Sequence, residues 1–80
     1  MKIQILGPGC PKCKALEQNV REALARLAVE ADVEKVTDIN RMIDMGVMMT
    51  PALVLDGVVL SVGRVLSSVQ IAELLTKESH

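Results

Sequence analysis

The 80-residue sequence contains no phenylalanine, tyrosine or tryptophan. Proteins that read single-stranded nucleic acids stack bases on aromatic side chains, so this absence argues against that class. A core must come from aliphatic residues, and the chain supplies 11 Val, 10 Leu, 5 Ile, 7 Ala and 5 Met. Half of the residues are apolar, which excludes a disordered chain. We expect one domain spanning residues 1–80, near the smallest size at which a single core suffices.

The sequence also lacks a strong net charge, a secretory signal and a membrane span. A formal net charge of −1 gives no basic field to hold DNA or an anionic membrane. The apolar run Ile3–Leu6 is too short for a signal peptide, and no window approaches the ~18 apolar residues of a membrane helix. We therefore expect a cytoplasmic protein, a monomer, that binds neither nucleic acid nor membrane.

Only two cysteines occur, Cys10 and Cys13, in a Cys-Pro-Lys-Cys run. Small secreted domains held by disulfides normally carry four or more cysteines. A bridge across two intervening residues closes a very small loop and adds little stability. If these cysteines pair, the pairing therefore serves chemistry. The surrounding charge is positive, because residues 1–26 hold five basic and two acidic side chains.

Hydrophobic periodicity and turn residues predict the element order β-α-β-α-β-β-α. Alternating or continuous apolar runs predict strands, and steps of three and four predict helices. Asp56-Gly57 between two apolar runs predicts a hairpin, and Ser67 with Gln70 predicts a capping box. The predicted strands are Lys2–Leu6, Val33–Thr37, Ala52–Leu55 and Val58–Val62; the helices begin at Cys10, after Asp38 and after Ser67.

The second predicted helix places Ile39, Met42 and Ile43 on one face and ends near Gly46. Methionines are frequent in and after it: Met42, Met45, Met48 and Met49. A methionine cluster can bind a metal, but these do not share one consistent face, so we predict that they fill gaps in a core without rings. The alternative for some of them, with Val47, is the lining of a substrate groove beside Pro51.

The first predicted helix places the cysteines in different environments. Cys13 begins an apolar stripe that continues through Leu16, Val20, Leu24 and Leu27, with Ala23 and Ala28 beside it. Pro11 suits the first turn of a helix, where an N–H has no partner. We expect Cys13 to face inward and Cys10 to face solvent.

This placement predicts dithiol chemistry. The helix N-terminus, Lys12 and Lys14 favour a thiolate, so we expect the pKa of Cys10 to lie below the ordinary ~8.5. Residues three apart on a helix are neighbours, so the two sulfurs can bond. Cys10 would attack a substrate disulfide and Cys13 would resolve the mixed disulfide.

Two other classes of function stay open at this point. Two thiolates also suit Cu(I) or Zn(II), so a soft-metal carrier is the main alternative. Small metallochaperones, however, have the order β-α-β-β-α-β and end on a strand, whereas this chain ends on a helix. A non-catalytic interaction module would explain the fold but would leave the cysteines without a purpose.

The Cys-x-x-Cys after the first strand, the Thr50-Pro51 pair before the third strand, and the late hairpin and last helix resemble the thioredoxin-like superfamily. The chain is similar to glutaredoxins and to small redox-active disulfide proteins of archaea and bacteria. This resemblance implies an α/β thioredoxin-like fold, with a four-stranded mixed sheet and helices on both faces. It implies that Pro51 is cis and packs beside the disulfide, while Thr50 offers its backbone to substrate.

The same resemblance implies reversible dithiol/disulfide exchange on proteins. It also implies a flavin-dependent reductase, like thioredoxin reductase, as the electron donor; no bound cofactor and no metal are needed. Two departures concern the site. Gly9 stands where thioredoxins usually have tryptophan, and Lys12 stands where glutaredoxins commonly have tyrosine. Glutaredoxins hold glutathione partly through a Gly-Gly pair and an acidic residue after the hairpin. This chain has Gly63 alone, followed by Arg64-Val65-Leu66-Ser67 without an acid, so the resemblance does not extend to glutathione as a substrate.

Overall fold

A computed structural model describes residues 2–9 and 11–78. The order of the elements is the one that periodicity predicts. Strand β2 begins and ends one residue earlier than expected, because Thr37 belongs to the loop before α2. The elements are β1 (Lys2–Leu6), α1 (Pro11–Leu27), β2 (Asp32–Val36), α2 (Ile39–Asp44), β3 (Ala52–Leu55), β4 (Val58–Val62) and α3 (Ser68–Glu78).

The four strands form one mixed sheet in the order β2-β1-β3-β4. Strand β1 pairs in parallel with β2, with Ile3 opposite Val33, and antiparallel with β3, with Ile5 opposite Leu53. Parallel neighbours need a crossover, and α1 provides it between β1 and β2. This topology brings the C-terminal end of β1, the start of α1 and the start of β3 to the same end of the sheet, where these strands end or begin.

Helices cover both faces of the sheet, as predicted. Alternate residues of a strand point to opposite faces, so Ile3 and Ile5 pack under α1 and α3, whereas Leu6 packs under α2. The larger core includes Leu16 and Val20 of α1. The smaller core, on the α2 side, comprises Leu6, Val36, Met42, Val47, Ala52 and Val54.

Local signals in the sequence explain the turns and caps. Asp56 and Gly57 have φ values of 47° and 85°, the positive values that a type I′ hairpin turn requires. The Ser67 hydroxyl accepts from the Gln70 N–H at 3.2 Å, and the Gln70 side chain accepts from the Ser67 N–H at 3.0 Å. Asp38 caps α2 by accepting from the Asn40 N–H at 2.8 Å.

The α2 region departs from the sequence prediction. Met42 is buried, but Ile39 and Ile43 on the same short helix are 66% and 59% exposed. Met45 packs against the smaller core, whereas Met48 and Met49 are exposed, so the predicted core-filling role is wrong for Met48 and Met49. Six helical residues cover only part of this face of the sheet.

Two smaller differences concern the end of α1 and the hairpin. Ala28 is exposed, with a φ of 54°, because α1 ends at Leu27. In the hairpin, Leu53 pairs with Ser61 and Val54 with Val59, so Leu60 is an extra residue that forms a bulge. In the described part of the chain, no helix has the length and apolar character needed to span a membrane.

Candidate active site at the start of helix α1

The described part of the connection between β1 and α1 comprises Gly7, Pro8 and Gly9, and α1 begins at Pro11. Proline favours this first helical position because its fixed φ suits the helix and its missing N–H is not needed there. Pro11 and Lys12 are both exposed. Cys10, the predicted nucleophile, lies outside the described residues.

Cys13 is buried, with 6% of its surface exposed. It lies on the buried stripe of α1 with Leu16 and Val20, as the helical spacing predicts. The predicted inward direction of this cysteine is therefore confirmed.

Gly7 lies directly against the sulfur of Cys13. A Cβ added at Gly7 would overlap Cys13 Sγ, and it would lie 3.7 Å from the Cβ of Thr50. The Gly7 N–H donates to the Val36 carbonyl at 2.9 Å, which continues the pairing of β1 with β2 by one residue. Gly7 therefore lies between Cys13 and Thr50 at this end of the sheet.

The Thr50–Pro51 peptide bond is cis, as the resemblance implies. Pro51 is fully buried, and its carbonyl accepts from the Gly63 N–H at 2.9 Å, next to the pairing of Ala52 with Val62. Thr50 is exposed, and among residues 2–9 and 11–78 no backbone–backbone hydrogen bond involves it. Thr50 therefore lies exposed beside Gly7.

A small cavity of about 130 Å³ adjoins Cys13. Glu17, one turn after Cys13, forms part of its wall and bonds to Lys35 at 3.3 Å and to the Arg21 Nη2 at 3.0 Å. The hydrogen bond from Arg21, followed by the hydrogen bond and charge of Lys35, lowers the pKa of Glu17 despite the opposing effect of burial. Glu17 is thus held as a carboxylate between α1 and β2.

An apolar groove of about 290 Å³ opens on the other side of Thr50. Its wall includes Pro8 and the two exposed isoleucines of α2, Ile39 and Ile43. Met48 is 87% exposed at its rim, and Val47 lies beneath it. Larger surface clefts lie beside Leu24 and Leu27, near the opposite end of α1.

The described residues contain no group of three or more His, Cys, Asp or Glu side chains able to hold a metal ion.

Sequence reasoning missed three features of the site. The Gly7-Pro8-Gly9 run marks the end of β1, but it does not show which atom approaches Gly7. The bond between Glu17 and Lys35 joins residues 18 positions apart, and no local pattern pairs them. Ile39 and Ile43 were placed on the same helical face as the buried Met42, and only the tertiary structure leaves them exposed beside Thr50.

Comparison with known proteins identifies the family. Residues 1–76 match the family model described as "Thioredoxin domain". A protein named Thioredoxin from Methanothermobacter thermautotrophicus is 40% identical over 76 residues, which cover 95% of this chain and 99% of that protein. A Thioredoxin from Methanocaldococcus jannaschii is 38% identical over 73 residues, covering 91% and 84% of the two chains. A Probable Thioredoxin from Methanothermobacter marburgensis is 37% identical over 67 residues, or 79% of each chain.

These relatives support a redox function of the thioredoxin type and an oxidoreductase role in general. The match to the family model and the mixed four-stranded sheet of this chain are consistent with each other. The predicted thioredoxin-like fold is thereby confirmed. The chain belongs to the thioredoxin domain family.

Proposed function

We propose that this protein is a thiol–disulfide oxidoreductase that exchanges its dithiol reversibly with disulfides of other proteins. The reacting groups are Cys10 and Cys13 of the Cys10-Pro11-Lys12-Cys13 motif. The observation that carries the proposal is the position of Cys13: its sulfur is buried at the first turn of α1, against Gly7 and close to Thr50. A sheltered thiol at a helix start, beside the exposed Thr50, suits the resolving step of disulfide exchange.

The exchange has two steps that balance in electrons. The Cys10 thiolate attacks one sulfur of the substrate disulfide, forms a Cys10–substrate bond and releases the other sulfur as a thiolate, which takes up a proton. Cys13 then loses its proton, and its thiolate attacks the Cys10 sulfur. The mixed disulfide breaks, the Cys10–Cys13 bond forms, and the second substrate thiolate leaves. Two electrons have passed from the protein dithiol to the substrate.

The start of α1 and the nearby lysines favour the first step. Partial positive charge at a helix N-terminus stabilises a thiolate, and Lys12 adds a full charge at the same end. We expect these effects to lower the pKa of Cys10 below its ordinary value. Because the electrons reside on the two sulfurs, no bound cofactor is required.

Thr50 and the apolar groove supply a docking surface for the substrate. Thr50 is exposed and its backbone has no backbone partner among the described residues, so we propose that it pairs with an extended polypeptide, while the buried Pro51 holds this segment beside Gly7. The groove of Pro8, Ile39 and Ile43 is continuous with Thr50, so it lies where a residue flanking the substrate cysteine would reach. Its occupant in this proposal is one aliphatic or methionine side chain of the substrate.

A reductase must restore the dithiol after each cycle. The family relationship supports a flavoprotein like thioredoxin reductase as that partner, and disulfide-containing proteins as the targets. We propose that the protein performs this role as a cytoplasmic monomer.

The proposal is tested by equilibrating the protein with defined redox buffers and by titrating the Cys10 thiolate in a Cys13→Ser background. A reversible two-electron couple and a Cys10 pKa near or below about 7 are the expected results. Cys10→Ser should abolish reduction of a model disulfide, and Cys13→Ser should retain the first step and accumulate a mixed disulfide. An ordinary or raised thiol pKa together with tight stoichiometric Cu(I) or Zn(II) binding would show instead that the pair is a metal site.

A further inference from the structure

Gly7 is the one glycine of the described chain whose added Cβ would collide with a cysteine sulfur. Gly9, Gly46, Gly57 and Gly63 all have positive φ values, which glycine adopts without strain, whereas Gly7 does not lie in that region. Backbone conformation therefore does not explain glycine at position 7. The space occupied by Cys13 Sγ does.

The backbones of Gly7 and Cys13 are both held in place by their neighbours. The Gly7 N–H is bound to the Val36 carbonyl at 2.9 Å, so the backbone at position 7 is held by β2. Cys13 is held by the packing of α1, because Leu16 and Val20 on the same stripe are completely buried. A methyl group at position 7 must therefore displace the sulfur, since close-packed backbone and core atoms yield less easily than one side-chain rotamer.

We propose that Gly7 is a positioning residue for the resolving step: the missing side chain leaves the place in which the Cys13 sulfur must lie to attack Cys10. This inference rests on the proposed exchange function and assigns a role that the Cys-x-x-Cys motif does not include. The role concerns the second step alone, because the first step uses the Cys10 sulfur and the second uses the Cys13 sulfur. Filling the space at position 7 should impair the second step only.

The steric claim can be tested without any redox reaction. With the sulfur removed by Cys13→Ala, the remaining neighbours of a Cβ at position 7 are Cys13 Cβ at 3.4 Å and Thr50 Cβ at 3.7 Å, both ordinary contacts. Gly7→Ala should therefore lower the urea midpoint of unfolding when Cys13 is present, and it should not lower the midpoint in the Cys13→Ala background. Equal losses in the two backgrounds would overturn the proposal.

The kinetic claim is tested with an aromatic disulfide reagent whose thiolate is coloured when released. Attack by Cys10 releases one coloured thiolate, and resolution by Cys13 releases the second, so stopped-flow absorbance separates the two steps. For Gly7→Ala we expect a first phase close to that of the unsubstituted protein and a second phase slower by about tenfold or more. Mass spectrometry should detect the accumulated mixed disulfide.

Gly57→Ala is the matched control for general destabilisation. Gly57 has a φ of 85° with no atom near its added Cβ, and it lies in the hairpin turn, next to the N-terminal end of β1 and away from Gly7. This variant should lower the urea midpoint while leaving both kinetic phases unchanged. A second phase of unchanged rate in folded Gly7→Ala would overturn the positioning role.

Two further outcomes are distinguishable. If Gly7→Ala does not fold, recovery of folding on adding Cys13→Ala supports the collision, and failure to recover contradicts it. If the unsubstituted protein shows no second phase, the proposed exchange function itself is wrong, and the positioning role falls with it, whatever the urea midpoints show about packing.

Discussion

Single residues at the start of α1 have roles that their types only partly reveal. Pro11 begins the helix and Cys13 faces the core, and both positions follow from residue type and helical spacing. Thr50 and Pro51 were placed by resemblance, and their proximity to Cys13 through Gly7 is a result of the tertiary structure. Gly7 could not be assigned from sequence, because the reason for glycine there is an atom six residues away on another element.

Lys12 provides a prediction at the residue scale. Its positive charge favours the Cys10 thiolate, so Lys12→Gln should raise the pKa of Cys10 by about half a unit, as expected for one solvated charge two residues along the chain. The measurement is thiolate absorbance against pH in the Cys13→Ser background.

Lys77→Gln is the control for this change of net charge. Lys77 lies in the cleft beside Arg26 and Leu27, at the opposite end of α1 from Lys12. The pKa of Cys10 should be the same with and without Lys77. Equal shifts for the two variants would show that Lys12 has no local effect on the thiolate.

Secondary-structure elements were predicted with greater success than the contacts between them. The hairpin, both caps and the long helix follow from local rules of turn chemistry and periodicity, which act within a few residues. The bulge at Leu60 was missed because it depends on how β4 matches β3. Helix α2 was located correctly, but with six residues it buries Met42 and leaves its isoleucines exposed.

Glu17 provides a prediction at the scale of elements, because it joins α1 to β2 through Lys35. Its pKa is lowered in the folded protein, chiefly by the hydrogen bond from Arg21. A lowered folded-state pKa adds stability above the unfolded-state value of about 4.3, and this stability is lost as the pH falls through the folded-state value. Glu17→Gln should therefore destabilise the protein at pH 7 by less than about 1 kcal/mol.

The difference between the two proteins should shrink as the pH falls from about 5 towards 3. Urea unfolding at several pH values measures it. Glu22→Gln, an exposed change on the same helix, should show a smaller effect at pH 7. Some acid sensitivity should remain in Glu17→Gln, because the pKa of Glu34 is also lowered, mainly by a hydrogen bond from Gln4. A difference that grows on acidification would contradict the role of Glu17.

At the scale of the whole molecule, one patch of exposed apolar side chains lies beside the candidate site. The groove of Pro8, Ile39 and Ile43 adjoins Thr50, and Met48 extends it. Exposed apolar patches beside a reactive group commonly mark interaction surfaces. The sequence shows that these residues are apolar, but only the fold places them on the same surface as the start of α1.

Ile43→Ser tests whether this groove recognises substrates. Loss of most of one buried isoleucine contact, about 1.4 kcal/mol, should lower kcat/KM for a protein disulfide about tenfold. Reduction of a small aromatic disulfide should be unchanged, because that reagent does not reach the groove. Stability should also change little, since Ile43 is exposed in the free protein.

Val69→Ser is the matched control. Val69 is 47% exposed on α3, in the cleft beside Arg26 at the far end of α1. It should leave both activities unchanged. Equal losses for protein and small disulfides in Ile43→Ser would show that the substitution disturbs the reactive thiols rather than docking.

The amino-acid sequence by itself determined the order of the elements, the caps and hairpin, the inward position of Cys13 and the family. These features depend on periodicity, local hydrogen bonds and motifs, all of which act over short distances along the chain. Only the tertiary structure decided that Gly7 lies between Cys13 and Thr50, that Glu17 reaches Lys35, and that the isoleucines of α2 remain uncovered. Those contacts join residues far apart in sequence, and their geometry depends on how the sheet and helices pack.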